Sequence, residues 1–167
     1  MRKFVGLLLL TFVLSAQAEG WIGVGVAVPG FLTVEYAYDR ARVGLSIDPF
    51  TTGEVALKAD WALVKLHRSP PTPWGTRVQQ ELRIYAGLTG SYFYKPYVLG
   101  DRSFNYAFGG YLGYGTATQL GEHFRYGVDL GVGLRNPPDV LGYLLLMDSS
   151  PGWGLFLQGS VHLDFAL

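Results

Sequence analysis

The feature that most constrains this chain is a side-chain alternation with a period of two residues. From Val55 to Leu63 every second residue is apolar, and the positions between them are Ala56, Lys58, Asp60 and Ala62. Successive side chains of a β-strand point to opposite faces, so this pattern predicts a strand with one apolar and one polar face. The pattern recurs in seven other segments, which predicts an all-β fold.

Turn residues separate the eight predicted strands. These strands cover residues 21–28, 31–38, 41–48, 54–66, 77–90, 104–118, 124–135 and 153–167. Four longer connections are predicted as loops, at residues 49–53, 67–76, 92–103 and 136–152. Three prolines in segment 67–76 favour a loop there, because proline cannot donate to a strand ladder.

The chain begins with a pattern typical of a secretory signal peptide. Arg2 and Lys3 precede an apolar stretch, and Ala16-Gln17-Ala18 forms a small-x-small cleavage site. We therefore predict a signal peptide at residues 1–18 and one domain at residues 19–167. Without Arg2 and Lys3 the predicted domain is slightly acidic, which gives no indication of nucleic-acid binding. The chain has no cysteine, so disulfides do not stabilise it.

The charged residues of the predicted strands share one parity, opposite to the aliphatic residues. A register slip of one residue would move all of them to the other face. Buried charges must pair, and this set contains both signs. We predict that they form a charge network in the barrel lumen: Glu35, Arg42, Lys58, Asp60, Glu81, Arg83, Arg125, Asp129, His162 and Asp164.

Two observations favour an apolar face that meets lipid. The polar face is rich in Gly and Ala, with fewer charges than a water-facing surface carries. Aromatic residues gather at the strand ends, as in the two girdles of a membrane barrel. One rim holds Tyr36, Tyr38, Phe124, Tyr126 and Phe165, and the other holds Phe104, Tyr106 and Trp153. The sequence thus predicts an eight-stranded antiparallel up-and-down transmembrane β-barrel.

In this architecture the chain resembles the small eight-stranded outer-membrane barrels of the OmpA/OmpX type. Its final alternation, Val161, Leu163, Phe165 and Leu167, is similar to the signal by which the barrel-assembly machinery recognises that family's last strand. The resemblance implies a location in the outer membrane of a diderm bacterium, among outer-membrane lipids. It also implies that segments 49–53, 92–103 and 136–152 are extracellular.

The sequence predicts no metal site, no cofactor and no catalytic residue. Its three histidines are far apart and no cysteine accompanies them. One alternative remains, because His67-x-Ser69 with Glu81 resembles the residues of eight-stranded lipid A deacylases. In that alternative the chain is a lipid A-modifying enzyme.

The leading functional hypothesis is a non-enzymatic barrel with a structural or surface-interaction role. Segments 92–103 and 136–152 are unusually apolar for exposed loops, which indicates either a protein or membrane partner or a lid over the barrel mouth. The interior charges either fill the lumen or line a small ion path, and the narrow interior of eight strands favours filling. A secreted lipocalin-like ligand-binding barrel is a further alternative, in which the aliphatic face is the cavity wall.

Overall fold

Eight antiparallel strands close into a barrel. The computed structural model describes residues 20–28, 30–50, 53–71, 78–99, 102–137 and 152–167. Each strand pairs with the next in sequence, and β8 closes the barrel against β1. The strands are β1 (Trp21–Val28), β2 (Leu32–Tyr38), β3 (Ala41–Asp48), β4 (Glu54–Arg68), β5 (Gln80–Leu99), β6 (Arg102–Gln119), β7 (Phe124–Asn136) and β8 (Gly154–Ala166).

The predicted signal peptide at residues 1–18 and most of segment 136–152 lie outside the described residues. Within the described ranges, no helix has the length and hydropathy needed to cross a membrane.

The prediction of a loop at residues 92–103 is wrong. Strand β5 continues to Leu99 and β6 begins at Arg102, so these residues form a two-stranded hairpin. The aromatic residues of this segment are of a type enriched in strands. Pro96 lies where the pairing shifts between Tyr92 and Tyr97, and a bulge is one of the few places where a strand accepts proline. The hairpin extends beyond the barrel, because among the described residues the outer pairing ends at Phe93 on β5 and at Phe108 on β6.

The period of two in β4 is broken near its end. The pairing with β5 shifts between Ala62 and Val64, and both Leu63 and Val64 are exposed outside the barrel. Beyond this bulge Lys65 pairs opposite Arg83. Without the extra residue, Lys65 would share the outward parity of Leu63; the bulge therefore turns it to the inside. Strand β4 also continues to Arg68, two residues past its predicted end.

Apolar side chains face outward and charged side chains face inward. Leu88 is 70% exposed and Leu130 is 66% exposed, whereas Asp129 is fully buried. Soluble proteins bury Leu and expose Asp, so the distribution here is inverted. The aliphatic side chains therefore form the outer surface of the barrel.

The strands are strongly staggered around the barrel. Paired residues lie directly opposite one another on neighbouring strands. When these partners are followed around the barrel from Gly23 on β1, the path passes through Lys58 on β4 and Arg135 on β7 and reaches Gly154 on β8. The direct partner of Gly23 on β8 is Asp164, ten residues from Gly154. This offset sets the tilt of the strands and, with eight strands, an interior only wide enough for side chains.

Glycines make room for three interior rings. Tyr85, Tyr111 and Phe156 are buried, and Tyr111 contacts each of the other two edge-to-face with ring centroids 6.0 Å apart. The Tyr85 ring lies directly over Gly113 and the Tyr111 ring over Gly87, where an added Cβ would overlap the ring. Glycine at these positions is therefore a packing requirement.

We expect Gly113→Ala to lower the free energy of unfolding by about 1–3 kcal/mol, because the added methyl group displaces Tyr85 in a filled interior. Urea titration of the folded protein, followed by tryptophan fluorescence, measures the loss. Gly90→Ala is the matched control, since no atom lies within 4 Å of its added Cβ. An equal loss in both variants would contradict the role assigned to the Tyr85 contact.

Candidate functional site

Asp129 is the centre of a buried ion-pair network in the barrel interior. It lies midway along β7 and accepts hydrogen bonds from two arginines: Arg42 Nη1 at 2.7 Å and Arg83 Nη2 at 2.7 Å. Ser160 Oγ donates to the same carboxylate at 3.1 Å, and His162 Nε2 lies 3.0 Å from it. Charge-assisted bonds of this length are the strong ones, so this carboxylate connects four strands.

Arg42 brings two further carboxylates to the centre. Its Nη1 donates to Glu35 at 2.9 Å, and its Nε lies 3.4 Å from Asp60. Ligand atoms of Glu35, Asp129 and His162 lie within 4.8 Å of one another, a spacing that could hold a metal ion. Arg42 Nη1 is within 3.3 Å of all three groups and occupies that position. The cluster is therefore arranged around a guanidinium group.

His162 connects the centre to a second carboxylate. Its Nε2 faces Asp129 and its Nδ1 lies 2.7 Å from Asp164 Oδ1. Carboxylate oxygens only accept, and an imidazolium donates from both ring nitrogens, so the charged form satisfies both contacts. Asp164 also accepts from Arg125 Nε at 2.6 Å, and the Arg125 guanidinium lies over the Trp21 ring at 4.5 Å.

The connected set is electrically balanced when His162 is charged. It then holds four cations and four carboxylates: Arg42, Arg83, Arg125 and His162 with Glu35, Asp60, Asp129 and Asp164. Buried charges lose hydration, and only short, well-oriented pairing offsets that cost. The arrangement can fill and stiffen the interior.

Two residues of the predicted network stand apart from this set. Glu81 pairs instead with Lys65 Nζ at 3.2 Å, near one end of the barrel. Lys58 is buried, but its Nζ has no hydrogen-bond partner in the described part of the chain.

The sequence prediction did not include an ion pair that lies outside the central network, or a hydrogen bond between two interior side chains. Arg135 Nη2 donates to Glu54 Oε1 at 2.6 Å, at the end of the barrel that carries the β5–β6 hairpin. Tyr85 OH donates to Gln158 at 2.9 Å. Parity alone places Glu54 and Arg135 inside, but they lie on β4 and β7 and meet only because the barrel closes.

The other end of the barrel, where β1 begins and β8 ends, contains an open cavity. Its volume is about 510 Å³, and the β2–β3 turn at Asp39 and Arg40 forms part of its rim. Arg83 and Arg125 of the buried network also line it, so the network closes the cavity on the inner side. We call this space the terminal cavity.

The residues of the deacylase-like pattern are only partly brought together. His67 lies opposite Glu81 on the neighbouring strand, and both line the terminal cavity. Ser69 follows the end of β4 and is exposed. Among the described residues, no hydrogen bond joins His67 to Ser69 or to Glu81, and Glu81 is paired with Lys65.

The predicted aromatic rims fall near the two ends of the barrel. Tyr36 and Phe165 are both direct partners of Ile22, and Phe124 contacts Phe165 with ring centroids 5.2 Å apart. The remaining members of that rim are Tyr38 and Tyr126, which are exposed. At the hairpin end, Phe104 is half-buried, and Tyr106 and Trp153 are exposed.

The fold and interior together define a closed eight-stranded antiparallel β-barrel with an apolar outer surface and an ion-paired interior. No protein-family model, curated protein or solved structure matches the chain.

Proposed function

We propose that this chain is a transmembrane β-barrel of up-and-down topology, located in the outer membrane of a diderm bacterium. The observation that carries the proposal is the inverted distribution of side chains, with Leu88 and Leu130 exposed and Asp129 buried. Lipid is the solvent that favours an apolar barrel surface, and closure removes the unpaired strand edges that lipid does not tolerate. Outer-membrane lipids and the barrel-assembly machinery are then its first partners.

The interior supports a non-conducting and non-enzymatic role. Three side chains of the network, Arg42, Asp129 and His162, are almost fully buried and bonded across the interior. A filled lumen anchors a protein in the membrane without opening a path for ions. The lipocalin-like alternative has less support, because its cavity wall requires the aliphatic face to point inward.

The β5–β6 hairpin supports a role in surface interaction. Tyr94 N donates to Gly53 O at 3.0 Å, and Phe93 packs beneath Arg135 with its ring 5.5 Å from the guanidinium carbon. The hairpin base is thus fixed to the barrel, whereas Val98 and Tyr106 are 64% and 69% exposed. In the proposed orientation, this apolar hairpin stands outside the cell.

Cysteine labelling of whole cells tests the location and the orientation together. The native chain has no cysteine, so each introduced thiol reports one position. We expect a membrane-impermeant maleimide to label Lys95→Cys, on the exposed hairpin, in intact cells. Arg40→Cys, on the β2–β3 turn, should be labelled only after the outer membrane is permeabilised.

Fractionation and gel mobility provide the control. The chain should sediment with the outer membrane, and the unheated protein should migrate differently from the boiled protein. Recovery in the soluble periplasmic fraction would contradict the proposal. Labelling of Arg40→Cys but not of Lys95→Cys in intact cells would reverse the proposed orientation.

A further inference from the structure

The wall of the terminal cavity carries more cations than carboxylates. Four Arg and Lys side chains line it, together with His67, whereas Asp39 and Glu81 are its two carboxylates among the described residues. The four cations are Arg40, Lys65, Arg83 and Arg125. A volume of about 510 Å³ lies in the range of small-molecule sites, and the mouth of a barrel is a usual place for one.

The two inner arginines use only part of their hydrogen-bonding capacity on the network. In the described part of the chain, Arg125 bonds Asp164 through Nε alone, and its guanidinium is held flat by Trp21. Arg83 bonds Asp129 through Nε and Nη2. A guanidinium has five N–H donors in a planar fork, so each arginine keeps donors for a ligand in the cavity.

The two cations at the rim are positioned by the β4 bulge. Arg40 Nη1 donates to the carbonyl oxygens of Ala62 and Leu63, at 3.4 and 3.3 Å, and no carboxylate of the described residues pairs with it. Lys65 turns inward because of the same bulge and shares its charge with Glu81 at 3.2 Å. At the rim, Arg40 therefore has no carboxylate partner among the described residues, and Lys65 has a partner, Glu81, that is partly exposed.

We propose that the terminal cavity binds a small phosphate-bearing ligand, with Arg40 and Lys65 at the rim and Arg83 and Arg125 further inside. The arginine fork matches the oxygens of a phosphate group, and lysine adds a compact charge. The shared chemistry is a phosphate with two ionisable oxygens, whether it is free in solution or belongs to a lipid headgroup. The inference does not depend on where the barrel is located.

Titration of the full chain with inorganic phosphate tests the proposal. The protein is folded in an uncharged detergent, and binding is measured by calorimetry at constant ionic strength. We expect saturable binding that Lys65→Gln weakens by about tenfold or more. The matched control is Lys95→Gln, which removes the same charge from the exposed hairpin at the other end and should leave the affinity unchanged.

Glu81→Gln gives a readout of opposite sign. Removing this carboxylate takes away repulsion of phosphate and leaves Lys65 without its counter-ion, while its bond to the Asp39 carbonyl oxygen at 2.8 Å keeps it at the rim, so the affinity should increase several-fold. A merely structural role for Glu81 would leave the affinity unchanged or reduce it. Dissociation constants weaker than roughly 10 mM, or an equal loss in the two lysine variants, would overturn the proposal.

A competition measurement separates the two sources of phosphate. Detergent micelles containing phosphatidic acid are compared with micelles containing phosphatidylcholine. If phosphatidic acid alone displaces bound phosphate, the result supports a lipid headgroup as the ligand. If neither lipid displaces it, the result supports a free phosphate compound.

Discussion

Asp129→Ala should lower the free energy of unfolding by about 3–5 kcal/mol, because it leaves buried cations without their shared counter-ion. The carboxylate is fully buried and receives charge-assisted bonds from Arg42 and Arg83, with His162 3.0 Å away. Water does not replace these contacts in a filled interior. Urea titration in detergent, with the folded fraction measured by heat-dependent gel mobility, gives the difference.

Glu81→Gln is the control for this substitution. It also removes one carboxylate from an ion pair, but the pair with Lys65 lies at a barrel end and is partly exposed. Pairs of that kind contribute at most about 1 kcal/mol. Comparable losses in Asp129→Ala and Glu81→Gln would contradict the central role given to Asp129.

Leu130→Arg should cost about 2–4 kcal/mol if the outer surface faces lipid, because it places a charge near the middle of the hydrocarbon layer. Leu130 lies at the centre of β7 and is 66% exposed. If the surface faced water, an exposed substitution of this kind would change stability by no more than about 0.5 kcal/mol. The free energy of unfolding in lipid vesicles therefore distinguishes the two solvents.

Leu120→Arg provides the matched control. Leu120 is 52% exposed and follows β6 at the end of the barrel that holds the terminal cavity. In the proposed orientation this end lies where the lipid layer gives way to water. The same substitution should cost about 0–1 kcal/mol there. Similar small effects at both positions would contradict the transmembrane proposal.

The alternation of residue types was sufficient to predict the strand number and several strand bounds. β1 and β3 have the predicted ends, and charge parity put Asp129 and His162 on the polar face. Alternation did not reveal the β4 bulge. Leu63 and Val64 are both apolar, so no change of residue type shows that the strand contains one extra residue there. It also missed the hairpin, because Pro96 interrupts the alternation and only the pairing of β5 with β6 shows that both strands continue there.

The partners within the network could not be predicted either. Parity tells which side of the sheet a residue occupies, but Arg42 and Asp129 are 87 residues apart and lie on β3 and β7. Their contact depends on the curvature and stagger of the closed sheet. The terminal cavity has the same origin, since its wall combines residues of β1 to β7 with the β2–β3 turn.

The long sequence separation of the Arg42–Asp129 pair has a consequence for the order of folding. Pairs between neighbouring strands, such as Arg42 with Asp60, can form locally, but a sheet that has not yet joined β1 to β8 does not bring Arg42 of β3 to Asp129 of β7. The final seam and the central ion pairs should therefore form in one cooperative step. Partly closed intermediates then lack the pairs that join Asp129 to Arg42 and Arg83, which favours closure in a single transition.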